Sequence, residues 1–218
     1  MARIVFDLDG TLIDSAPDIR GIANTILVRE GKETISLAQA RDFIGNGASV
    51  FVRKMRNAQG IADSEHDRIL KDFTDAYVTA VELTEPYPGV EATLVALKQA
   101  GHSLGICTNK PIVPTRAVIK HVGLEQYFDV MIGGDSLPVH KPDPAPLHKA
   151  FAQLGEGEVI YVGDSDVDAE TAKRAIVPFL LFTEGYLKVP VDSLTYDYTF
   201  DDFSNLPGLV EKVLGAKS

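Results

Sequence analysis

Asp7 and Asp9 close a short apolar run and are followed at once by Gly10. Residues two apart in an extended chain share a face, so both carboxylates project to one side. Side by side they repel, and a cation is what holds such a pair ionised. Oxygen ligands with few histidines point to Mg²⁺ rather than to a softer metal. Gly10 lets the chain turn away and leaves backbone amides facing a ligand. An Asp-Gly step between apolar residues is equally a hairpin signal, and a tight turn can be the device that presents the acids.

Three further clusters have chemical character. Thr108-Asn109-Lys110-Pro111 ends an apolar run and opens a helical pattern. Thr108 and the free amides at a helix start suit a phosphate oxygen, and the same residues also read as an ordinary helix cap. In His140-Lys141-Pro142-Asp143-Pro144 two prolines stiffen the chain around an acid. Lys141 could be presented inward as a fixed charge, whereas a lysine by itself usually solvates on the surface. Gly163-Asp164-Ser165 follows another apolar run, with Asp168 three residues on from Ser165. Ser165 and Asp168 fit a capping box, but no such local role explains Asp164. Cys107 sits inside an apolar run and reads as a core residue.

The elements that must position these groups are strands and helices in alternation. Apolar runs of strand length occupy 3–8, 103–107, 129–132, 158–162 and 177–182, and helical patterns fill 89–100, 111–122, 144–154 and 166–175. Continuous apolarity suits parallel strands covered on both faces. The fold class expected is therefore α/β, a doubly wound parallel sheet. One stretch breaks the alternation. Residues 16–84 show helical periodicity, with capping-box patterns at Ser15/Asp18 and Ser36/Gln39 and helix stops at Gly31 and Gly60. The division expected is an α/β core of residues 1–15 and 85–218 with an inserted all-helical cap of about four helices at 16–84. Ligands of open parallel sheets bind beyond the carboxyl ends of the strands. Asp7, Asp9, Thr108, Lys141 and Asp164 all fall on that rim. Several acids there would repel a phosphate unless a metal joined them.

The 218 residues are 45% hydrophobic and 24% charged, which excludes disorder, and the net charge of −10 argues against a nucleic-acid partner. One cysteine precludes an intrachain disulfide and fits a reducing compartment. The start lacks the apolar stretch of a secretory signal. The longest apolar run, Ile176 to Phe182, is interrupted by Pro178 and falls far short of the about 20 residues a spanning helix needs. A cytoplasmic protein with no membrane partner is expected.

Taken in order, Asp7-Leu8-Asp9-Gly10-Thr11-Leu12, Thr108-Asn109-Lys110-Pro111, Lys141-Pro142-Asp143-Pro144 and Gly163-Asp164-Ser165 with Asp168 resemble the four motifs of the haloacid dehalogenase superfamily, nearly end to end. The resemblance implies a helical-capped phosphatase that uses Mg²⁺ to hydrolyse a small phosphorylated metabolite, 2-phosphoglycolate foremost. It implies that Asp7 is the nucleophile that becomes an aspartyl-phosphate and that Asp9 is the general acid and base. Thr108, Asn109 and Gly10 would meet the phosphoryl group, and Lys141 would bridge it to Asp7. Asp7, Asp9 through its carbonyl, Asp164 and Asp168 would serve the metal. In the cap, Arg20, Asn46 and Arg53 are candidates for the rest of the substrate. Where the superfamily often has Ala-Gly after the fourth motif's helix, this chain has Ala175-Ile176. A phosphomutase or a sugar-phosphate phosphatase shares most of these residues. A dehalogenase does not need Asp9, and a bare phosphorylated receiver domain does not explain residues 16–84.

Overall fold

A computed structural model describes residues 1–216. In chain order it contains β1 (Ala2–Phe6), β2 (Ile13–Asp14), α1 (Ala16–Arg29), α2 (Leu37–Phe43), α3 (Gly47–Ala58), α4 (His66–Tyr77), β3 (Glu85–Pro86), α5 (Val90–Gln99) and β4 (Ser103–Cys107). There follow α6 (Ile112–His121), β5 (Val130–Ile132), α7 (Ala145–Gln153), β6 (Glu158–Gly163), α8 (Asp166–Ala175), β7 (Phe179–Phe182), β8 (Tyr198–Phe200) and α9 (Leu206–Gly215).

Six strands form one parallel sheet in the order β5-β4-β1-β6-β7-β8. The order runs outward from β1 in both directions, so β1 lies at the reversal, where a crevice opens beyond the strand ends. Alternate residues feed opposite faces. Ile4 and Phe6 pack with Leu94, Leu97 and Val210 of α5 and α9 on one side. Val5 and Tyr161 pack with Leu147, Phe151 and Ala172 of α7 and α8 on the other. Coverage on both faces is why these strands are apolar throughout.

Helices α1 to α4 bury a separate apolar cluster that includes Ile19, Ile26, Phe51, Met55, Phe73 and Tyr77. The rings of Phe51 and Phe73 lie 5.0 Å apart, and those of Phe73 and Tyr77 5.3 Å. Helices this short are marginal alone; each buried aromatic contributes about 1.5–3 kcal/mol to holding them together. The chain passes into this helical cap at β2 and returns at β3, which pair antiparallel through Ile13 with Pro86 and Asp14 with Glu85.

Two of the three capping-box patterns in the sequence form in the structure. Ser36 and Gln39 do form a capping box, as do Ser165 and Asp168. Ser15 and Asp18 do not. Ser15 makes no side-chain cap bond and donates instead to Asp9. Asp18 accepts from the Leu83 amide at 2.9 Å and the Thr84 hydroxyl at 2.7 Å, tying the start of α1 to the returning strand. Strand β8 and helix α9 have only weak signals in the sequence. The strand is three residues long, and the helix shows its apolar spacing only after Leu206-Pro207.

Candidate active site

The loop after β1 and the loop after β6 are pressed together beside Gly10. Gly10 has a φ of +94°, and a Cβ there would fall 2.4 Å from Asp164 Oδ2. No other residue permits both that backbone and that approach. The Gly10 amide is not turned toward a ligand, as the sequence suggested; it donates to the Ile13 carbonyl at 2.9 Å. The residue's contribution is closeness, not a donor.

Asp7, Asp164 and Asp168 form the acidic group of the site, with ligand oxygens within 4.8 Å of one another. All three are buried. Among the described residues the ammonium that meets them is Lys141, itself only 2% exposed, which donates to Asp7 at 2.7 Å, Asp168 at 2.6 Å and the Tyr161 hydroxyl at 2.9 Å. Burial works against charge on Lys141, yet Asp168 and Asp7 hold it protonated above the ordinary lysine range. Burial, and then the neighbouring Asp168, push Asp7 up to about 7. Asp164 is raised for the same reasons. Burial acts on Asp168 as well, but Lys141, Ser165 and Tyr161 outweigh it and keep that carboxylate low.

The donor set therefore fits a hard divalent cation. Three buried carboxylates face one ammonium, a surplus of negative charge that a cation would offset. Asp164 takes one hydrogen bond on each oxygen, from Thr11 Oγ1 at 2.7 Å and from the Tyr186 amide at 2.6 Å, so each oxygen keeps a second acceptor site. Asp168 is more fully engaged. Its Oδ1 meets Lys141 and Tyr161, and its Oδ2 meets the Ser165 amide and hydroxyl. Its capping box and its grip on Lys141 coexist, so the local and the chemical readings of Asp168 hold together.

Asp9 faces away from this triad. Its Oδ1 accepts from Ser15 Oγ at 2.5 Å and from Lys110 Nζ at 3.0 Å. Asp7 and Asp9 both line a cavity between the sheet rim and the cap, with Thr108, Asn109 and Lys110 from the core and Ile19, Ile44, Gly45, Gly47, Ala48, Phe51, Phe73 and Tyr77 from the cap. The cavity is small, about 30 Å³ measured at the centre of a water molecule.

Asn109 is present at the cavity, but its amide nitrogen donates to the carbonyls of Gly45 and Lys141, both at 3.0 Å. It ties the β4 loop to the cap and to the Lys141 loop. The cap residues named from sequence are not on the wall. Arg20 follows the buried Ile19 and is turned about 100° from it around α1. Arg53 is exposed, off the α3 face that presents Ala48 and Phe51. At Asn46 the lining comes from the flanking glycines; Gly47, at φ +82°, brings the loop backbone against the Asn109 carbonyl. Sequence reading assigned no part to Lys110, Tyr77, Tyr161 or Tyr186. Lys110 at a buried strand end just before Pro111, and Tyr77 one turn beyond Phe73 on the apolar face of α4, were visible signals.

Residues 4–182 match the profile of the haloacid dehalogenase-like hydrolases. The chain is 46% identical over 211 residues to a phosphoglycolate phosphatase of Rhodobacter capsulatus, covering 95% of this chain and 96% of that one. A phosphoglycolate phosphatase of Rhodospirillum rubrum is 36% identical over 212 residues, covering 93% and 88%. The crystal structure of a predicted phosphoglycolate phosphatase from Haemophilus somnus superposes with a TM-score of 0.90 at 31% identity, over 95% of this chain and 97% of that one.

Proposed function

The chain belongs to the haloacid dehalogenase-like hydrolases, and from that premise we propose that it hydrolyses the monoester 2-phosphoglycolate through a phosphorylated aspartate. The observation that carries the reading is that Asp7 and Asp9 share one small cavity while keeping different partners. Asp7 attacks phosphorus in line with the ester oxygen, held in place by Lys141. Asp9 gives its proton to the departing glycolate oxygen and then takes one from the water that cleaves the acyl-phosphate. Thr108, buried at the cavity wall, holds the phosphoryl group from the β4 side. Mg²⁺ would be held by Asp7, Asp164 and the Asp9 carbonyl, with Asp168 steadying Lys141. When bound it supplies charge neutralisation for the phosphoryl oxygens. The apolar cap residues exclude bulk water from the first step.

The reading divides the chain at 1–15 and 85–218 for the chemistry and 16–84 for the cap. The similarity to named phosphoglycolate phosphatases over nearly the whole chain supports the substrate. Phosphate release from a panel of small esters with Mg²⁺ tests it. The expected result is a kcat/KM for 2-phosphoglycolate at least tenfold above sugar phosphates, and none for Asp7→Asn. A preferred sugar phosphate would replace the substrate; an active Asp7→Asn would move the nucleophile.

A further inference from the structure

Two buried lysines meet the two reactive aspartates, and they are not equivalent. Lys141 places its three ammonium hydrogens on Asp7, Asp168 and Tyr161. Lys110 is 5% exposed and places two, on Asp9 Oδ1 at 3.0 Å and on the Tyr77 hydroxyl at 2.8 Å. An ammonium carries three donors, and Lys110 lines the cavity. Among the lining residues it is the one cation; the cap side of the wall is apolar apart from Tyr77 and the glycine backbone. A lysine so placed has one donor left for an anion inside.

We propose that Lys110 and Tyr77 form the receptor for the carboxylate of the leaving group, and so select 2-phosphocarboxylates over esters of neutral alcohols. This rests on the phosphatase reading above. The reach is right. Ser15 and Lys110 both meet Asp9 at Oδ1, which leaves Oδ2 for the ester oxygen. Lys110 Nζ is then two hydrogen bonds and one carboxylate width from the ester oxygen, a path bent at both carboxylate oxygens that spans about 5–7 Å. The arm of a 2-phosphocarboxylate, from ester oxygen to carboxylate oxygen plus a hydrogen bond, spans about 6 Å. Tyr77 supports the same anion. Burial first, and then Asp9, push its phenol well above the ordinary tyrosine range, so it keeps its proton and can donate it. The ring also lies under Lys110, with Nζ 4.0 Å from the centroid, which fixes the ammonium in place. A buried charge-assisted hydrogen bond is strong enough to discriminate between otherwise equal esters.

The experiment compares 2-phosphoglycolate with ethyl phosphate, which has the same arm and no carboxylate, in the wild type, Lys110→Met and Tyr77→Phe. Circular dichroism and a thermal melt confirm that each variant folds. In the wild type the ratio of kcat/KM values favours 2-phosphoglycolate. In Lys110→Met that ratio falls by about 10–100-fold, mostly through KM. In Tyr77→Phe, which keeps the ring and the charge, it falls by about threefold to tenfold. If both esters lose activity equally in Lys110→Met, the lysine serves Asp9 or the phosphoryl group and the receptor is wrong. If Lys110→Met does not fold, Tyr77→Phe with an unchanged ratio also overturns it. A wild type with no preference for 2-phosphoglycolate would instead sink the substrate reading.

Discussion

Asp7 and Asp9 leave one strand end on the same side, yet their neighbours differ in kind. Asp7 sits among two carboxylates and an ammonium, whereas Asp9 meets a serine, a lysine and the apolar cap wall. If the first attacks and the second moves protons, their variants must fail differently. Asp9→Asn keeps the nucleophile. Ethyl phosphate needs its leaving oxygen protonated, so its turnover should fall about 10²–10⁴-fold. Nitrophenyl phosphate leaves as a stabilised phenolate and should still phosphorylate Asp7, while the second step lacks its base. The expected outcome is a burst of about one phenolate per enzyme, with covalent phosphate detected by mass after acid quench. Equal loss on both esters with no burst would take Asp9 out of proton transfer.

At the scale of elements, the loop after β7 is what joins core chemistry to the cap. The Tyr186 amide holds Asp164, its hydroxyl donates to Asp14 at 2.6 Å and accepts from the Ala16 amide at 3.0 Å, and Lys188 reaches the Ile44 carbonyl. The turn that precedes β7 is strained. Ile176 caps α8 in the left-handed region, φ 56° and ψ 50°, with its side chain 91% exposed. The Ala175-Ile176 departure noted in the sequence thus keeps the turn a glycine would make, on a β-branched residue. The left-handed backbone costs about 1–2 kcal/mol, and glycine adds back about 0.5–1 kcal/mol in unfolded-chain freedom. Ile176→Gly should therefore raise stability by about 0.5–1 kcal/mol, a Tm gain of about 1–4 °C, without changing kcat. A lower Tm would mean that the isoleucine side chain makes a contribution its exposure conceals.

For the molecule as a whole, the surplus of buried acid at the sheet rim sets how stability depends on pH and metal. The folded state holds Asp7 up to about 7, and Asp164 is raised with it; in the unfolded chain both revert to about 3.9. Over that window these two groups bind more protons in the folded protein than in the unfolded one. These two groups therefore contribute stability at low pH that is lost as pH rises through the folded values. His102 acts in the opposite sense, because burial lowers it and its ring nitrogen accepts from the Ala2 amide. It lies away from the rim and cancels in a comparison with and without metal. A divalent cation bound by ionised carboxylates must displace their protons at acid pH. The Tm increase on adding Mg²⁺ should then be several degrees at pH 7.5 and much smaller at pH 5, in the wild type and not in Asp164→Ala. An equal increase at both pH values would show that the cation binds elsewhere.

Much of this protein was legible in one dimension. That Asp7, Asp9, Thr108, Lys141, Asp164 and Asp168 share one rim was legible because their positions follow from strand ends, and strand ends follow from apolar runs that continue until a glycine, proline or helix cap interrupts them. The alternation of those runs with helices determined a doubly wound sheet, and the break in alternation marked the cap. What the chain could not reveal in order were contacts between segments far apart in it. Arg20, Asn46 and Arg53 were reasonable by residue type, but whether a helical residue faces a cavity depends on the phase in which its helix packs, and Ile19, Ala48 and Phe51 took the inward positions, while in the loop at Asn46 the flanking glycines line it. Gly10 was identified for its freedom, while its need came from Asp164, 154 residues later. Lys110 and Tyr77 lie 33 residues apart on different units. The packing of cap on core brings a lysine and a helix-end tyrosine together out of water, as a fixed pair beside Asp9.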